Sequence, residues 1–460
     1  MVAMCLFTSL ISWSCPIEAT KTTTTRRKHR TLRELQREET LPQWHVVFKP
    51  ANITAHMNSV INIEAELRVD VDFQNLNDIT FEFYAEDEHL AKVKNEVVGS
   101  QIDETIRKWS GFITVDVKLL GFTKIYVRMI DDKNNHVEIS KEFLPLIIIR
   151  KPRLIDHIFT GSVALLVSLL YVNFGAAMDL KVLRKLIIKP VGPLIGFITQ
   201  FILMPVLSYV LAVVVFPHSI EMQLGLFFTG ISPSGGASNM WTVILGGNMN
   251  LSLLMTSLSN VAAFGMIPLW IFTLGQVIFR RGNMIIPYSK IATFAVALVI
   301  PLAIGVGIQK YSPKYSKILV RFLEPISKCL ILFIIIFATV TNLYLFELFS
   351  WRIILAGSLL PWLGYGLAWY LARNLNQSAA DALTIAIETG IQNTGIAIFL
   401  LRSLPQPQAD LTTVIPVSVA IMTPFPLLAI YLYRKYWGQK NNIKYCSLNE
   451  NDDHRHIRSL

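Results

Sequence analysis

Cysteine is scarce in this 460-residue chain, and its four copies are scattered: Cys5 and Cys15 near the start, Cys329 in an apolar run and Cys446 near the end. That distribution excludes a disulfide framework, so any folded part must hold by burial and hydrogen bonding alone. Charge is sparse too. Asp, Glu, Lys and Arg make up 16% of the chain against 52% hydrophobic residues, with a mean hydropathy of +0.46. An ordinary soluble chain is excluded by that balance, and a polytopic membrane protein fits it. Nothing pairs a nucleophile with a base or clusters His and Cys for a metal, so no enzyme is expected. The net charge of +10 does not point to nucleic acid, because Lys and Arg are spread through short loops between apolar runs.

One carboxylate stands apart. Glu388 lies within a stretch of Ile, Ala, Thr and Leu and opens the run Glu388-Thr389-Gly390-Ile391-Gln392-Asn393. A bare carboxylate at membrane depth costs at least about 2.5 kcal/mol, so such a group is normally functional and partnered. The same run holds no Lys or Arg, whereas Gly390, Gln392 and Asn393 offer a breakable backbone and neutral oxygens. Those suit a small hard cation such as Na⁺. The alternative is a structural carboxyl, protonated or bonded to a neighbouring helix.

The chain divides by composition into five parts. Residues 1–19 form a short apolar leader that reads as a secretory signal; no basic residue precedes it and the cut near Ala19 lacks a clean small-x-small site, so a retained signal anchor is the alternative. Residues 20–40 are a Thr-rich, basic linker. Over 41–150 the period is two: Ile61, Ile63, Ala65, Leu67, Val69, Val71 and Phe73 alternate with polar residues, and Ile113, Val115, Val117 and Ile125, Val127, Met129 repeat the pattern. A turn at Asp131-Asp132-Lys133-Asn134-Asn135 leads to a further strand at Val137 and Ile139. This predicts a small antiparallel β-sandwich, with a glycosylation sequon at Asn52 that matters if the domain is outside the cytosol. A folding module or a contact surface for a protein partner is its simplest role.

From 151 to 436 the chain is a series of membrane-length segments. Nine are expected, near 157–176, 190–216, 222–245, 249–278, 285–308, 326–346, 352–372, 378–401 and 412–433. Residues 437–460 are a cytosolic tail. With the β-rich domain outside, basic residues favour the inner loops by about twelve to eight; Arg280-Arg281 runs against the trend. The third segment contains Ser232-Pro233-Ser234-Gly235-Gly236-Ala237-Ser238-Asn239 and the eighth contains Gly390 and Gly395, so both backbones should open near mid-membrane. Interrupted helices at corresponding places in two halves point to the site of an inverted-repeat transporter; a kink serving packing alone is the alternative.

These residues resemble the sodium/bile acid cotransporter family. The matching pieces are Gln200-Phe201 and Met204-Pro205 in the second segment, the Ser232 to Asn239 run in the third, Ser252 and Thr256 in the fourth, and Glu388 to Asn393 in the eighth. The resemblance implies a core domain with two crossing broken helices that moves against a panel domain. By the same likeness, one Na⁺ would be held by Ser238, Asn239, Ser252, Thr256 and Glu388. A second would take Gln200, Glu388, Gln392 and the backbone carbonyls of Thr389 and Ile391, while Asn393 would face the substrate. Where many members read Pro-Gly-Gly, this chain has Pro233-Ser234-Gly235-Gly236. The long β-rich domain is similar to one branch of the family, in which some members lack sodium ligands; this chain keeps them. The implied activity is sodium-coupled symport of an organic anion, such as a bile acid or sulfated steroid, at the plasma membrane, with no cofactor beyond Na⁺ as coupling ion and with membrane lipids around it. A non-transporting scaffold or regulator whose ectodomain binds a partner is the alternative.

Overall fold

In the computed structural model the described residues are 44–70, 79–94, 96–98, 101–103, 106–131, 136–151, 153–177, 190–284, 286, 288–341 and 350–436. The leader, the linker, the tail and most of the turn at 132–135 lie outside them.

Among the described residues ten strands make up the first part: β1 (Trp44–Lys49), β2 (Ile53–His56), β3 (Ser59–Val69), β4 (Ile79–Ala85), β5 (Ala91–Val93), β6 (Glu96–Val98), β7 (Lys108–Val117), β8 (Gly121–Asp131), β9 (His136–Ile139) and β10 (Leu144–Ile149). One sheet runs β1-β3-β7-β5 and the other β2-β10-β8-β4-β6, with β9 paired to β8. The two share one core. Ile63, Ala65 and Leu67 of β3 and Ile113, Val115 and Val117 of β7 meet Phe81, Phe83, Ile125, Val127 and Ile148 of the second sheet. Those are the apolar members of the period-two pattern, which the pleat sends to one face. Two features differ from expectation. The β2–β10 pair is parallel, from Ile53 opposite Leu146 to His56 opposite Ile149, so the sandwich is not purely antiparallel. Val137 and Ile139 form a strand but stay exposed, because β9 only flanks β8.

Glu66 breaks the alternation instructively. It sits on the polar side of β3 yet is buried, because Lys108 from β7 (2.9 Å), Arg68 (2.6 Å) and Lys49 from β1 (3.4 Å) close over it. Hydrogen bonds from Lys108 first and Arg68 second hold its carboxyl down at about 2 against an ordinary 4.5. A depressed carboxyl contributes stability that is complete above 4.5 and fades as pH falls towards 2. Amide-exchange protection along β3 and β7 in the intact protein should therefore weaken between pH 5 and pH 3, about these values, and Glu66→Gln should remove most of that difference.

The second part is helical: α1 (Leu154–Ala177), α2 (Val191–Val215), α3 (Ile220–Gly230), α4 (Ala237–Ile244), α5 (Met249–Arg281), α6 (Tyr288–Tyr311), α7 (Pro313–Thr341), α8 (Trp351–Asn374), α9 (Ala379–Gly390), α10 (Thr394–Leu401) and α11 (Gln408–Tyr436). Among the described residues, α2, α5, α8 and α11 are by length and composition apolar enough to cross a membrane. Their outward sides carry bare apolar residues such as Val214, Leu269, Leu367 and Phe425. The pairs α3/α4 and α9/α10 are the two interrupted segments. α7 begins well before the expected 326, because Pro313 sits at the first helical position, where its missing N–H costs nothing. Lys314, Lys317 and Arg321 are therefore exposed on a helix, not in a loop. α1, α6 and α7 pack chiefly on one another, and α2 to α5 with α8 to α11 form the other group.

Candidate functional site

The interruptions of α3/α4 and α9/α10 meet. Gly235 N donates to Ile391 O at 2.8 Å and Asn393 N to Pro233 O at 2.9 Å, which makes a short antiparallel bridge between Ser234 and Gln392. Opened peptide groups at this depth need partners, and each break supplies the other's. Two glycines allow the approach. A Cβ at Gly235 would lie 2.9 Å from Gln392 O, and one at Gly390 would run into the Tyr365 ring.

Glu388 closes the last turn of α9 beside this bridge and is buried. Ser252 Oγ donates to its Oε1 at 2.5 Å; Thr256 Oγ1 and Ser234 Oγ donate to its Oε2 at 2.8 and 2.7 Å. Ser252 and Thr256 come from one face of α5, four residues apart. Asn239 Oδ1 lies 2.7 Å from Ser252 Oγ and 3.4 Å from Thr256 Oγ1, and Ser238 Oγ lies 3.4 Å from Ser234 Oγ. Among the described residues Glu388 has no ion-pair partner and no group of three His, Cys, Asp or Glu occurs. Hydroxyls turn freely, donating to the carboxylate when it is bare and offering lone pairs to a cation when one enters. The arrangement is an all-oxygen pocket with one formal negative charge, which is chemistry for an alkali cation, not for zinc or copper.

A second cluster adjoins it. Gln200 sits in a π-helical turn, Thr199–Leu203, inside α2. Such bulges are common at functional sites because they redirect side chains without ending the helix. Gln200 Nε2 donates to Gln392 Oε1 at 2.9 Å and to Ser232 O at 2.8 Å, and Thr199 Oγ1 lies 2.7 Å from Thr389 Oγ1. Gln392 Nε2 donates to Thr389 O at 2.6 Å. All nine residues named from the sequence as cation ligands are thus gathered around one crossing. Sequence reasoning did not assign Ser234 or Thr199 to it. Ser234 lay within the quoted motif, but nothing in the chain order tied it to an acid 154 positions away.

Asn393 caps α10 through Oδ1, which accepts from Ile396 N at 3.3 Å, and its Nδ2 is buried without a hydrogen-bond partner. Next to the crossing is a cavity of about 360 Å³, walled by Trp241, Met240, Leu332, Ile421, Gln392 and Thr394 among others. Asn393 lies between two wall residues but is not itself on the wall. The volume suits a small organic molecule with a large apolar surface.

At the other end of α10, Asp410 in the first turn of α11 is fully buried between two guanidinium groups. It pairs with Arg402 Nη1, and Arg150 Nη2 lies 3.5 Å from its Oδ1. Arg150 directly follows β10, so this cluster joins the sandwich to the helical part.

The model of the Sodium Bile acid symporter family matches residues 164–347. The chain is 33% identical over 272 residues to the P3 protein of Homo sapiens, covering 58% of this chain and 57% of that one. It is 30% identical over 306 residues to the ileal sodium/bile acid cotransporter of Oryctolagus cuniculus, covering 65% of this chain and 86% of that one. With the sodium-dependent organic anion transporter of Homo sapiens it shares 31% over 252 residues, 54% of this chain and 65% of that one. The match therefore spans only a little over half of the P3 protein but most of the ileal cotransporter, and the chain belongs to the sodium bile acid symporter family.

Proposed function

We propose that the chain is a secondary active transporter that couples inward Na⁺ movement to uptake of an organic anion such as a bile acid or sulfated steroid. The observation that carries this reading is Glu388, buried and bracketed by the hydroxyls of Ser234, Ser252 and Thr256 at the crossing of two interrupted helices. Ser238, Asn239, Ser252, Thr256 and Glu388 would hold one Na⁺. The adjoining cavity, with Asn393 just behind its wall, would receive the substrate, and the amino-terminal ends of α4 and α10 would favour its negative charge.

A long helix, an interrupted pair and a long helix occur once as α2 to α5 and again as α8 to α11, and this order supports reading the two sets as an inverted repeat. With α1, α6 and α7 these would make nine membrane spans, in which the six-span core would move against the three-span panel. Na⁺ would neutralise Glu388 and favour the state able to bind substrate. Moving one net charge down about 100 mV releases roughly 2.3 kcal/mol, enough for accumulation when more than one Na⁺ is coupled. Uptake of labelled organic anions in sodium against choline medium tests the proposal, and equal uptake of every anion in both media rejects it.

The ectodomain favours a second reading, a scaffold or regulator whose sandwich, here residues 41–150, engages a protein partner; one of the relatives is named only as P3 protein. Deleting 41–147 should leave a carrier with some flux, whereas a scaffold should lose its whole activity. Orientation has its own test. The sequence has sequons at Asn52, Asn250 and Asn376. Asn52 is exposed on the sandwich, while Asn250 and Asn376 lie at the end of the bundle opposite Asp410. With the sandwich outside a plasma-membrane protein and the tail in the cytosol, Asn52→Gln alone should abolish the mobility shift produced by glycosidase treatment.

A further inference from the structure

The end of the helical part that lies away from the sandwich gathers cations with nothing to balance them. Lys310 stands in the last turn of α6, and Lys314, Lys317 and Arg321 lie in the first turns of α7. All four are exposed, and among the described residues none has an ion-pair partner; Lys310 Nζ rests 5.5 Å from the centre of the Tyr311 ring instead. The neighbouring sequence offers no counter-charge, since Gly282 to Leu323 contains no Asp or Glu. Lys314, Lys317 and Arg321 are three and four positions apart, so they share one face of α7. Ser316 shows where that face points. It is buried on the opposite side, where its Oγ donates to Ala176 O at the far end of α1 at 2.9 Å, so the cations are turned away from the bundle.

A second stripe runs beside the first. Tyr315, Ile318 and Phe322 each follow one of the three cations, keep the same spacing and are exposed as well. Bare apolar side chains next to bare cations suit neither water alone nor hydrocarbon alone; they suit the boundary between the two. The length of α7 brings them there. Its 29 residues rise about 43 Å, roughly 13 Å more than a hydrocarbon core of about 30 Å, and at 1.5 Å per residue the excess is about nine residues. The apolar run from Cys329 to Val340 occupies the other end of the helix, so the excess falls on Pro313 to Arg321.

We propose that this face binds anionic phospholipids of the leaflet at that end, with Lys310, Lys314, Lys317 and Arg321 meeting the headgroups and Tyr315, Ile318 and Phe322 entering the acyl boundary. Charge complementarity selects the lipid. A zwitterionic headgroup carries its own cation and gains little from four more, whereas an acidic headgroup brings the missing negative charge. A soluble polyanion answers the cations but leaves the apolar stripe bare. Because α7 packs chiefly on α1 and α6, lipid bound here grips the three-helix group and not the helices around Glu388.

The test is the thermal midpoint of the purified full chain in detergent micelles doped with phosphatidylserine or, at the same level, with phosphatidylcholine, at one fixed NaCl concentration. A ligand of the folded state raises the midpoint, and phosphatidylserine should raise it about 2–4 °C above phosphatidylcholine. Added choline chloride should erase that difference, because exposed charges are screened. The triple variant Lys314→Gln, Lys317→Gln, Arg321→Gln should melt like the wild type in phosphatidylcholine and lose most of the shift, while Lys314→Arg with Lys317→Arg should keep it. Should the triple variant not fold, Lys317→Gln and Arg321→Gln made singly should each lose part of the shift. A wild type that melts alike in both lipids overturns the proposal, and so does an undiminished shift in the glutamine variants, which would place the anionic lipid elsewhere. An equal rise from glycerophosphoserine, the headgroup without its chains, would make the face a site for soluble anions and reject the lipid.

Discussion

Glu388→Gln is expected to abolish sodium-dependent uptake while leaving the protein folded and in the membrane. The substitution keeps shape and volume, and the amide oxygen can still accept from Ser252 or Thr256. The charge is lost. The neutral amide also brings two donors to a place where the neighbouring Ser234, Ser252 and Thr256 already donate, so some of those hydroxyls must turn away. Hydrogen bonds to a charged group are worth about 1.5–3 kcal/mol each, but the variant also escapes the cost of keeping a carboxylate out of water. The two terms oppose, so the fold survives, whereas cation binding has no such compensation. Labelled-anion uptake beside the amount of protein at the cell surface separates the two effects. Normal sodium-dependent uptake by a normally expressed variant would remove Glu388 from the mechanism.

Much of this site was legible because the membrane makes polar residues conspicuous. Glu388, Gln392, Ser252 and Thr256 stand out in apolar surroundings, and Pro233 with Gly235 and Gly390 mark where helices must open. The β-sandwich was legible for a different reason: residues such as Ile63, Leu67, Ile113 and Val115 alternate with polar neighbours over whole strands. What stayed hidden depends on partners far apart in the chain. Glu66 reads as one more solvent-facing acid until Lys49 and Lys108 arrive from β1 and β7. The π-turn that aims Gln200 leaves no mark in hydropathy, because an extra residue in one turn barely changes the apolar pattern. The start of α7 was misplaced because Lys314, Lys317 and Arg321 look like a loop when only charge is counted, although a helix tolerates them on its exposed side.

Asp410 escaped notice for the same reason, and its removal should have the largest effect on stability. In the sequence it is an acid eight residues after Arg402, as in any polar loop; in the fold it is fully buried, with Arg402 and Arg150 as its ion-pair partners. Asp410→Ala leaves two largely buried guanidinium groups without their carboxylate, and breaking a buried pair by removing one partner costs about 3–5 kcal/mol. The thermal midpoint in detergent should fall sharply and little protein should reach the surface. Arg150→Met should cost much less, because Asp410 keeps Arg402 and an apolar side chain can replace the guanidinium stem. A double variant, Asp410→Leu with Arg402→Met, should recover part of the loss seen in Asp410→Ala, since well-packed apolar residues can replace a buried pair at little cost. Equal midpoints for Asp410→Ala and wild type would show that the cluster is hydrated and the pair carries no stability. Arg150 also precedes α1 while Asp410 belongs to α11, so their contact ties the three-helix group to the other at the end next to the sandwich. If the two groups move apart during transport this contact must open. Arg150→Met should then alter the rate of uptake in a folded protein, while Asp410→Ala reports mainly on folding.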